Sequence, residues 1–128
     1  MKKIIALLII VSAITIDLSA QDVKSESKQF MQINTVESVV SGGFGRSKMI
    51  ITTPDGSQTE TDLENLFSLV GINFKNIRDN EDKVIKTLKS YDDKGWKMEQ
   101  VTSFTLSPGN NGGIGIFMTR YLLSKAEG

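Results

Sequence analysis

The sequence predicts an α+β domain in which a small antiparallel β-sheet of about four or five strands carries one main α-helix packed on one face. Three observations support this fold class. Strand-type segments occur near residues 30–39 and 48–53, a helical spacing of apolar residues follows at 84–91, and two more strand-type segments lie at 96–106 and 114–123. The order strands, helix, strands is typical of a sheet that packs a single helix against one side.

The first twenty residues have the pattern of a bacterial secretory signal peptide. Met1-Lys2-Lys3 is positive, residues 4–16 are almost wholly apolar, and Ala20 is a small residue before the polar Gln21. The apolar run is too short to span a hydrocarbon core of roughly 30 Å. We therefore expect residues 1–20 to be removed during export through the inner membrane. Residues 21–29 would form a flexible tether, and residues 30–124 a single domain that is periplasmic or secreted.

Composition excludes several classes of function. Lys2, Lys3 and Asp17 leave with the first 20 of the 128 residues, so the remaining 108 carry 13 basic and 14 acidic side chains. This balance lacks the basic stripe expected of nucleic-acid binding and the polybasic segment expected at a membrane surface. The sequence contains no cysteine and no histidine. Disulfides, an N-terminal lipid-modified cysteine, the usual zinc, copper and iron ligands, and Ser-His-Asp triads are therefore excluded, and we expect no cofactor.

The first half of the domain reads as three strands. Residues 30–39 alternate between apolar and polar side chains imperfectly, which predicts a half-buried strand that ends at the glycine-rich residues 41–45. Lys48–Thr53 is β-branched and apolar and predicts a second strand. Thr53-Pro54-Asp55-Gly56 has the residue types of a tight turn, so residues 57–61 would return as a third strand. That strand has no apolar residue, which is typical of an exposed edge.

Two segments follow for which a helix is predicted. Leu63, Leu66, Phe67 and Val70 have helical spacing, with Asp62 as a cap, although residues 67–74 also fit an extended chain. The main helix is expected to begin at Asp79 or Asn80 and to run to about Asp93. Its apolar stripe is formed by four side chains: Val84, Ile85, Leu88 and Tyr91.

The charged residues of the main helix and the glycine after it also fit a helix over these residues. Glu81 and Asp82 would lie in its first turn, where acidic side chains suit the helix dipole, and Asp82 and Lys86 are spaced for an ion pair. Gly95 is expected to end the helix in the left-handed conformation.

The last two strands are predicted on either side of a long loop. In residues 96–106, Trp96, Met98, Phe104 and Leu106 share one phase of the strand alternation. Val101 is out of this phase, which a bulge near Gln100 would explain. Residues 107–113 are rich in turn formers and predict a hairpin loop, whose polar tip we interpret as a turn. Residues 114–123 are apolar in both phases, which predicts an interior strand covered on both faces.

Part of this pattern resembles a known family. Three segments together resemble the small bacterial family called domain of unknown function 4177. They are Val84-Ile85-Lys86-Thr87-Leu88, Lys94-Gly95-Trp96-Lys97-Met98-Glu99-Gln100-Val101 and Ile116-Phe117-Met118-Thr119-Arg120. In that family a helix ends in glycine, tryptophan opens a strand, and a last apolar strand ends at a basic residue. The resemblance covers residues 80–121 and implies the α+β fold class but no activity.

Four residues are candidates for binding: Phe44, Arg46, Trp96 and Arg120. Trp96 could stack on a sugar or a peptide, but an indole after a helix stop is more often part of the core. Phe44 and Arg46 lie in the glycine-rich segment, which does not match a phosphate-binding loop and is interpreted as a strand connection or a binding loop. Arg120 shares a phase with apolar residues, so it either extends to the rim of the sheet or pairs with Glu99 or Glu37.

Asp92, Asp93 and Glu99 are the carboxylates that remain for acid–base chemistry. Two carboxylates flanking a glycosidic bond are the basis of glycan hydrolysis, so these residues define a possible small hydrolase. The alternative is a solvated turn in which Lys94 and Lys97 act as counter-charges. Asp92-Asp93-Lys94-Gly95 lacks the spaced oxygen ligands of a calcium loop, and no metal site is expected.

The sequence therefore favours an exported, non-catalytic binding or interaction module of the bacterial cell envelope. Its partner would be a protein or another envelope component, and the polar strand at 57–61 could accept a peptide by strand addition. The alternative function is the carboxylate-dependent glycan hydrolase.

Overall fold

A five-stranded antiparallel sheet with strand order β3-β2-β1-β7-β6 forms the body of the protein in a computed structural model. The structure describes residues 27–40, 46–107 and 115–127. In order along the chain, the elements are β1 (Lys28–Val39), β2 (Ser47–Thr52), β3 (Gln58–Leu63), β4 (Phe67–Ser68), β5 (Gly71–Ile72), α1 (Phe74–Asp92), β6 (Lys97–Leu106) and β7 (Gly115–Ala126). The predicted α+β class, with one helix on one face of an antiparallel sheet, is confirmed.

The helix covers one face of the sheet, here called the helix face. The hydrophobic core lies between this face and the helix. It consists of alternate residues of β1, β2, β3 and β7: Met31, Ile33, Met49, Ile51, Leu63 and Leu123. Val84, Leu88 and Tyr91 of α1 pack against this cluster. Ile85, which was expected in the same stripe, is 61% exposed because it lies at the margin of the helix rather than over the sheet.

The opposite side of the sheet, here called the open face, carries the alternate residues, including Val36, Met118 and Leu122. The described part of the chain contains one helix, and that helix packs on the other side. The prediction that residues 114–123 are covered on both faces is therefore wrong for the described residues. The strand is interior, since β7 lies between β1 and β6, but its apolar open-face side chains remain only half-buried.

The turn between β2 and β3 has the predicted chemistry. Gly56 has a φ of 83°, and its N–H donates to Thr53 O at 2.9 Å. Oδ1 of Asp55 accepts from the hydroxyl of Thr53 at 2.6 Å and from the N–H of Ser57 at 3.1 Å. The hairpin register that follows makes β3 an exposed edge strand, as predicted.

The short helix predicted from Asp62 is absent, and residues 62–72 instead contain the end of β3, an irregular segment at 64–66 and the two short strands β4 and β5. Leu63 is the last residue of β3 and is buried in the core, which requires a strand conformation at this position. Phe67–Ser68 then pairs with Gly71–Ile72 in a small hairpin, and the φ of 114° at Gly71 suits its turn. The helical spacing of these apolar residues is overridden by tertiary contacts.

The main helix begins earlier than predicted. Asn73, not Asp79 or Asn80, is the N-cap, and its side chain accepts from the N–H of Asn76 at 3.2 Å. Glu81 and Asp82 therefore lie in the middle of the helix rather than in its first turn. The end of the helix is as expected, since Gly95 has a φ of 87° and the last helical residue is Asp92.

A β-bulge changes the phase of β6. The register against β7 shifts between Met98 and Gln100, which confirms the predicted bulge. Met98 is opposite Leu123 and Val101 is opposite Tyr121, so both belong to the helix face. Phe104 is opposite Met118 and belongs to the open face, as does Leu106. The prediction that Met98, Phe104 and Leu106 share one face is wrong because the extra residue Glu99 reverses the alternation.

Candidate functional site

The two edges of the sheet differ in charge and in shielding. The β3 edge carries Glu60 and Asp62, and Glu60 forms an ion pair with Lys48 of the neighbouring strand. The backbone carbonyl of Asp62 also accepts from Nζ of Lys83 on α1 at 3.0 Å. Charged side chains on an edge strand discourage pairing with another strand.

The other edge is formed by β6 and has no such protection over most of its length. Residues 100–106, here called the β6 edge, contain no charged side chain. Among residues 27–40, 46–107 and 115–127, β6 pairs with β7 alone, and all ten of its residues are exposed. A row of unpaired backbone N–H and C=O groups on an uncharged strand is a template for pairing with another strand.

Apolar side chains stand on both faces of the β6 edge. Val101 is 50% exposed on the helix face, and Phe104 and Leu106 are 53% and 56% exposed on the open face. Phe117 of β7 is a further exposed apolar side chain, on the helix face beside Thr105. The end of the β6–β7 hairpin therefore exposes apolar side chains on both faces of the sheet. Elsewhere, the helix covers much of one face.

The helix margin adds a groove next to this edge. A cleft of about 390 Å³ is lined by Ile85, Leu88, Trp96 and Met98, among others, between α1 and the start of β6. Its lining is mainly apolar, and exposed Ile85 forms its outer wall. The groove lies at the start of β6, before the bulge, and none of residues 100–106 lines it.

A second cleft, of about 400 Å³, lies further along the same side of the helix. Thr35, Glu37 and Tyr121 form part of its floor, and Val84, Ile85 and Leu88 form part of its wall. Partial burial, and to a smaller extent the charge of Glu37, raise the pKa of the Tyr121 hydroxyl. Oε1 of Glu37 accepts from Nδ2 of Asn80 at 3.0 Å, so this carboxylate already has a partner inside the protein.

Trp96, the first of the sequence candidates, lies where a core residue is expected. Its side chain packs against the core cluster, and its backbone N–H donates to Tyr91 O at 3.0 Å. It also lines the groove beside Met98, so one side of the indole borders a cavity. Trp96 is therefore a core residue, as the core interpretation predicts, and part of its side chain also borders the groove.

Arg120 is exposed on the open face, and Nε donates to Asn34 Oδ1 at 3.2 Å. The predicted ion pair with Glu99 or Glu37 is not present among the described residues. Glu37 belongs to the opposite face of the sheet, and Glu99 is paired with Lys28 at 2.9 Å. The predicted extension to the rim of the sheet is not observed either, since Asn34 belongs to β1, the central strand of the five.

Arg46 lines a third cavity, of about 390 Å³, together with Lys48, Asp62 and Glu64. It is exposed and immediately precedes β2. Phe44 and the polar loop tip at 110–113 lie outside the described residues. The three described candidates, Arg46, Trp96 and Arg120, thus lie on separate parts of the sheet and do not converge on one site.

The carboxylates proposed for glycan hydrolysis are held in exposed ion pairs. Asp92 contacts Lys97 at 2.8 Å and Asp93 contacts Lys89 at 2.9 Å, while Lys94 lies over the ring of Tyr91. The hydrogen bond from Lys97 lowers the pKa of Asp92.

Glu99 has a similar environment on the neighbouring strand. Hydrogen bonds from Ser124 and Lys28 lower the pKa of its carboxyl group. A general acid needs the opposite shift, so this arrangement favours ionised surface carboxylates.

Sequence reasoning missed the β6 edge. The signal was available, because seven consecutive uncharged residues rich in strand formers run from Gln100 to Leu106. What the sequence did not show is that this strand lies at the edge of the sheet rather than inside it.

No protein-family model, no curated protein and no solved structure matches this chain. The resemblance to domain of unknown function 4177 therefore stays a prediction. Within residues 27–40, 46–107 and 115–127, no group of three or more acidic side chains is placed to hold a metal ion. The helix in the same part of the chain is not of the length and apolarity that crossing a membrane requires.

Proposed function

We propose that this protein is an exported, non-catalytic interaction module whose binding surface is the β6 edge. The observation that carries the proposal is the contrast between the two sheet edges. β3 presents Glu60 and Asp62, whereas Gln100–Leu106 presents uncharged backbone flanked by apolar side chains. Strand addition at such an edge supplies affinity through backbone hydrogen bonds and specificity through the side chains on each face.

The uncovered apolar side chains support a protein partner. Val101, Phe104 and Leu106 are each about half exposed, and Phe117 extends the patch onto β7. Clusters of exposed apolar side chains often mark a site of protein–protein interaction. Aromatic side chains such as Phe104 are also enriched at the centres of protein interfaces.

Site-specific photo-cross-linking in the producing cells tests this proposal. The full-length chain would carry a photoreactive phenylalanine analogue at Phe104, and a matched variant would carry it at Thr59 on the β3 edge. We expect discrete cross-linked products from position 104 and few from position 59. Adding Val101→Lys should abolish the products from position 104, because a charge then stands on the edge. Equal products from both positions, or none from position 104, would contradict the proposal.

The export step is supported by the pattern of residues 1–20, with its positive start, apolar run and small residue at position 20. Cell fractionation followed by mass measurement of the purified protein tests it. We expect the protein in the periplasmic or culture fraction with Gln21, or a residue within a few positions of it, at its N-terminus. Recovery of the chain with Met1–Ala20 still attached would overturn this part of the proposal.

A further inference from the structure

We infer that the partner of the β6 edge is a second copy of the same chain, and that two copies join their β6 strands antiparallel into one continuous ten-stranded sheet. This inference rests on the proposed function, because it names the occupant of the same edge. Three observations support it: the position of the bulge, the absence of charged residues in residues 100–106, and the residue pairs that two antiparallel copies of this segment would form.

The bulge sets the length of the pairing segment. The register shift between Met98 and Gln100 interrupts the regular pattern of β6, so continuous pairing is limited to Gln100–Leu106. Seven residues have one central position, Ser103. A two-fold axis perpendicular to the sheet at Ser103 keeps the helix face and the open face of the two copies aligned.

The central pairs that result are favourable on both faces, and Gln100 comes opposite Leu106 at each end of the segment. Val101 comes opposite Thr105 of the second copy on the helix face, and Thr102 comes opposite Phe104 on the open face. Pairs of β-branched residues, and pairs of an aromatic with a β-branched residue, are favourable across antiparallel strands. The two Phe104 side chains lie on the diagonal across the axis, roughly 7–8 Å apart, a spacing that aromatic side chains can bridge.

Charge favours this occupant and this edge. In the register centred on Ser103, Glu99 comes opposite Ser107 of the second copy, so no like charges are juxtaposed. The same operation on β3 would bring Glu60 and Asp62 of two copies close together. An uncharged segment also offers no charged group that would select a peptide of particular sequence.

The exposed side chains of the β6 edge would add to the backbone contact. Val101, Phe104 and Leu106 are 50%, 53% and 56% exposed in one copy, and the interface of a specific dimer should bury about 1,000 Å² or more over two copies. About one backbone hydrogen bond per residue pair would be added along the seven-residue segment.

Solution mass and a cysteine scan test the inference. The purified protein, expressed from its full-length sequence, should sediment as a dimer at micromolar concentration. Phe104→Lys should weaken dimerisation by about tenfold or more, since two ammonium groups would meet across the axis. Thr59→Lys on the β3 edge is the matched control and should leave the dimer unchanged. Thermal unfolding of both variants checks that each is folded.

The absence of cysteine allows the register to be tested separately. In an antiparallel pair, opposed Cα atoms lie about 4.5–5.5 Å apart, within the range that a disulfide accepts. Ser103→Cys should therefore form a disulfide-linked dimer under mild oxidation, and Thr61→Cys on β3 should not. Equal cross-linking of the two variants, or a wild-type dimer that Phe104→Lys leaves intact, would overturn the inference.

The photo-cross-linking experiment separates this inference from the proposed function. Products with the mass of two copies support both. Products that contain a different protein, together with a monomer in sedimentation, overturn self-association and leave the interaction module standing. No product from position 104 and a monomer in sedimentation would overturn both.

Discussion

Asn80 of α1 hydrogen-bonds both backbone groups of Glu64. Its Oδ1 accepts from the Glu64 N–H at 2.7 Å and its Nδ2 donates to the Glu64 carbonyl at 2.9 Å. Asn80 is 1% exposed, and the same amide also reaches Glu37 on β1. One side chain thus ties the middle of the helix to the chain leaving β3 and to the centre of the sheet.

Replacing Asn80 with alanine should lower the free energy of unfolding by about 2–4 kcal/mol. The change leaves the N–H and C=O of Glu64 without these partners in a partly buried site, and unsatisfied groups of this kind are costly. Chemical denaturation measures the effect. Ser90→Ala, at an exposed position of the same helix, is the control and should change stability by less than about 0.5 kcal/mol. A loss at Asn80 as small as the control would show that water replaces the amide.

Replacing Trp96 with alanine should cost about 2–4 kcal/mol, because the indole packs on the core cluster yet also borders the groove. Ile85→Ala is the comparison, since it removes a largely exposed side chain from the same groove and should cost less than about 1 kcal/mol. Thermal unfolding of both variants provides the test. An unchanged melting temperature for Trp96→Ala would exclude the core role.

Gly95→Ala should destabilise the protein by about 1 kcal/mol through backbone conformation alone. The φ of Gly95 is 87°, but a Cβ added there would meet only Lys125 Cε at 3.6 Å, an ordinary contact. Gly95→Asn should cost less, because asparagine tolerates the left-handed conformation better than alanine. Equal losses for the two variants, measured by urea denaturation, would point to crowding instead.

The carboxyl group of Asp55 should make stability depend on pH in the acid range. Hydrogen bonds from Thr53 and Ser57 lower its pKa to about 2 from a usual 3.8. A lowered pKa in the folded state means that the stabilisation is present above about pH 4 and is lost as the pH falls toward 2. Asp55→Asn keeps an acceptor oxygen but does not titrate.

The difference in melting temperature between wild type and Asp55→Asn should therefore shift against the wild type as the pH falls through that window. Parallel curves for the two proteins between pH 4 and pH 2 would contradict the lowered pKa of Asp55.

Local chemistry made much of the fold predictable. The Thr53–Gly56 turn and the stop at Gly95 depend on residue types that favour one backbone conformation, so they could be found without tertiary information. The N-cap of α1 could not be found in this way, because Asn73 and Asn80 are both good capping residues. Asn80 is instead used inside the helix for its contact with Glu64, which is a long-range relationship.

The candidate site was less predictable than the fold for the same reason. Strand type can be read from Val101 to Leu106, but position at the edge depends on the pairing of β7 with β1. The bulge at Glu99 then decides which side chains share a face. Both properties arise from contacts between segments that are far apart in sequence, which periodicity alone does not contain.

The pairing of β1 with β7 has a consequence for how the chain reaches its native state. Twelve residue pairs join the first and the last described strands, and these two strands form the middle of the sheet. The pairing of β1 with β7 therefore forms only after β7 has been synthesised, and such distant contacts make folding slow. Until β7 has been made, β1 lacks one of its two neighbours in the sheet, so the β1–β2–β3 hairpins alone cannot complete the sheet.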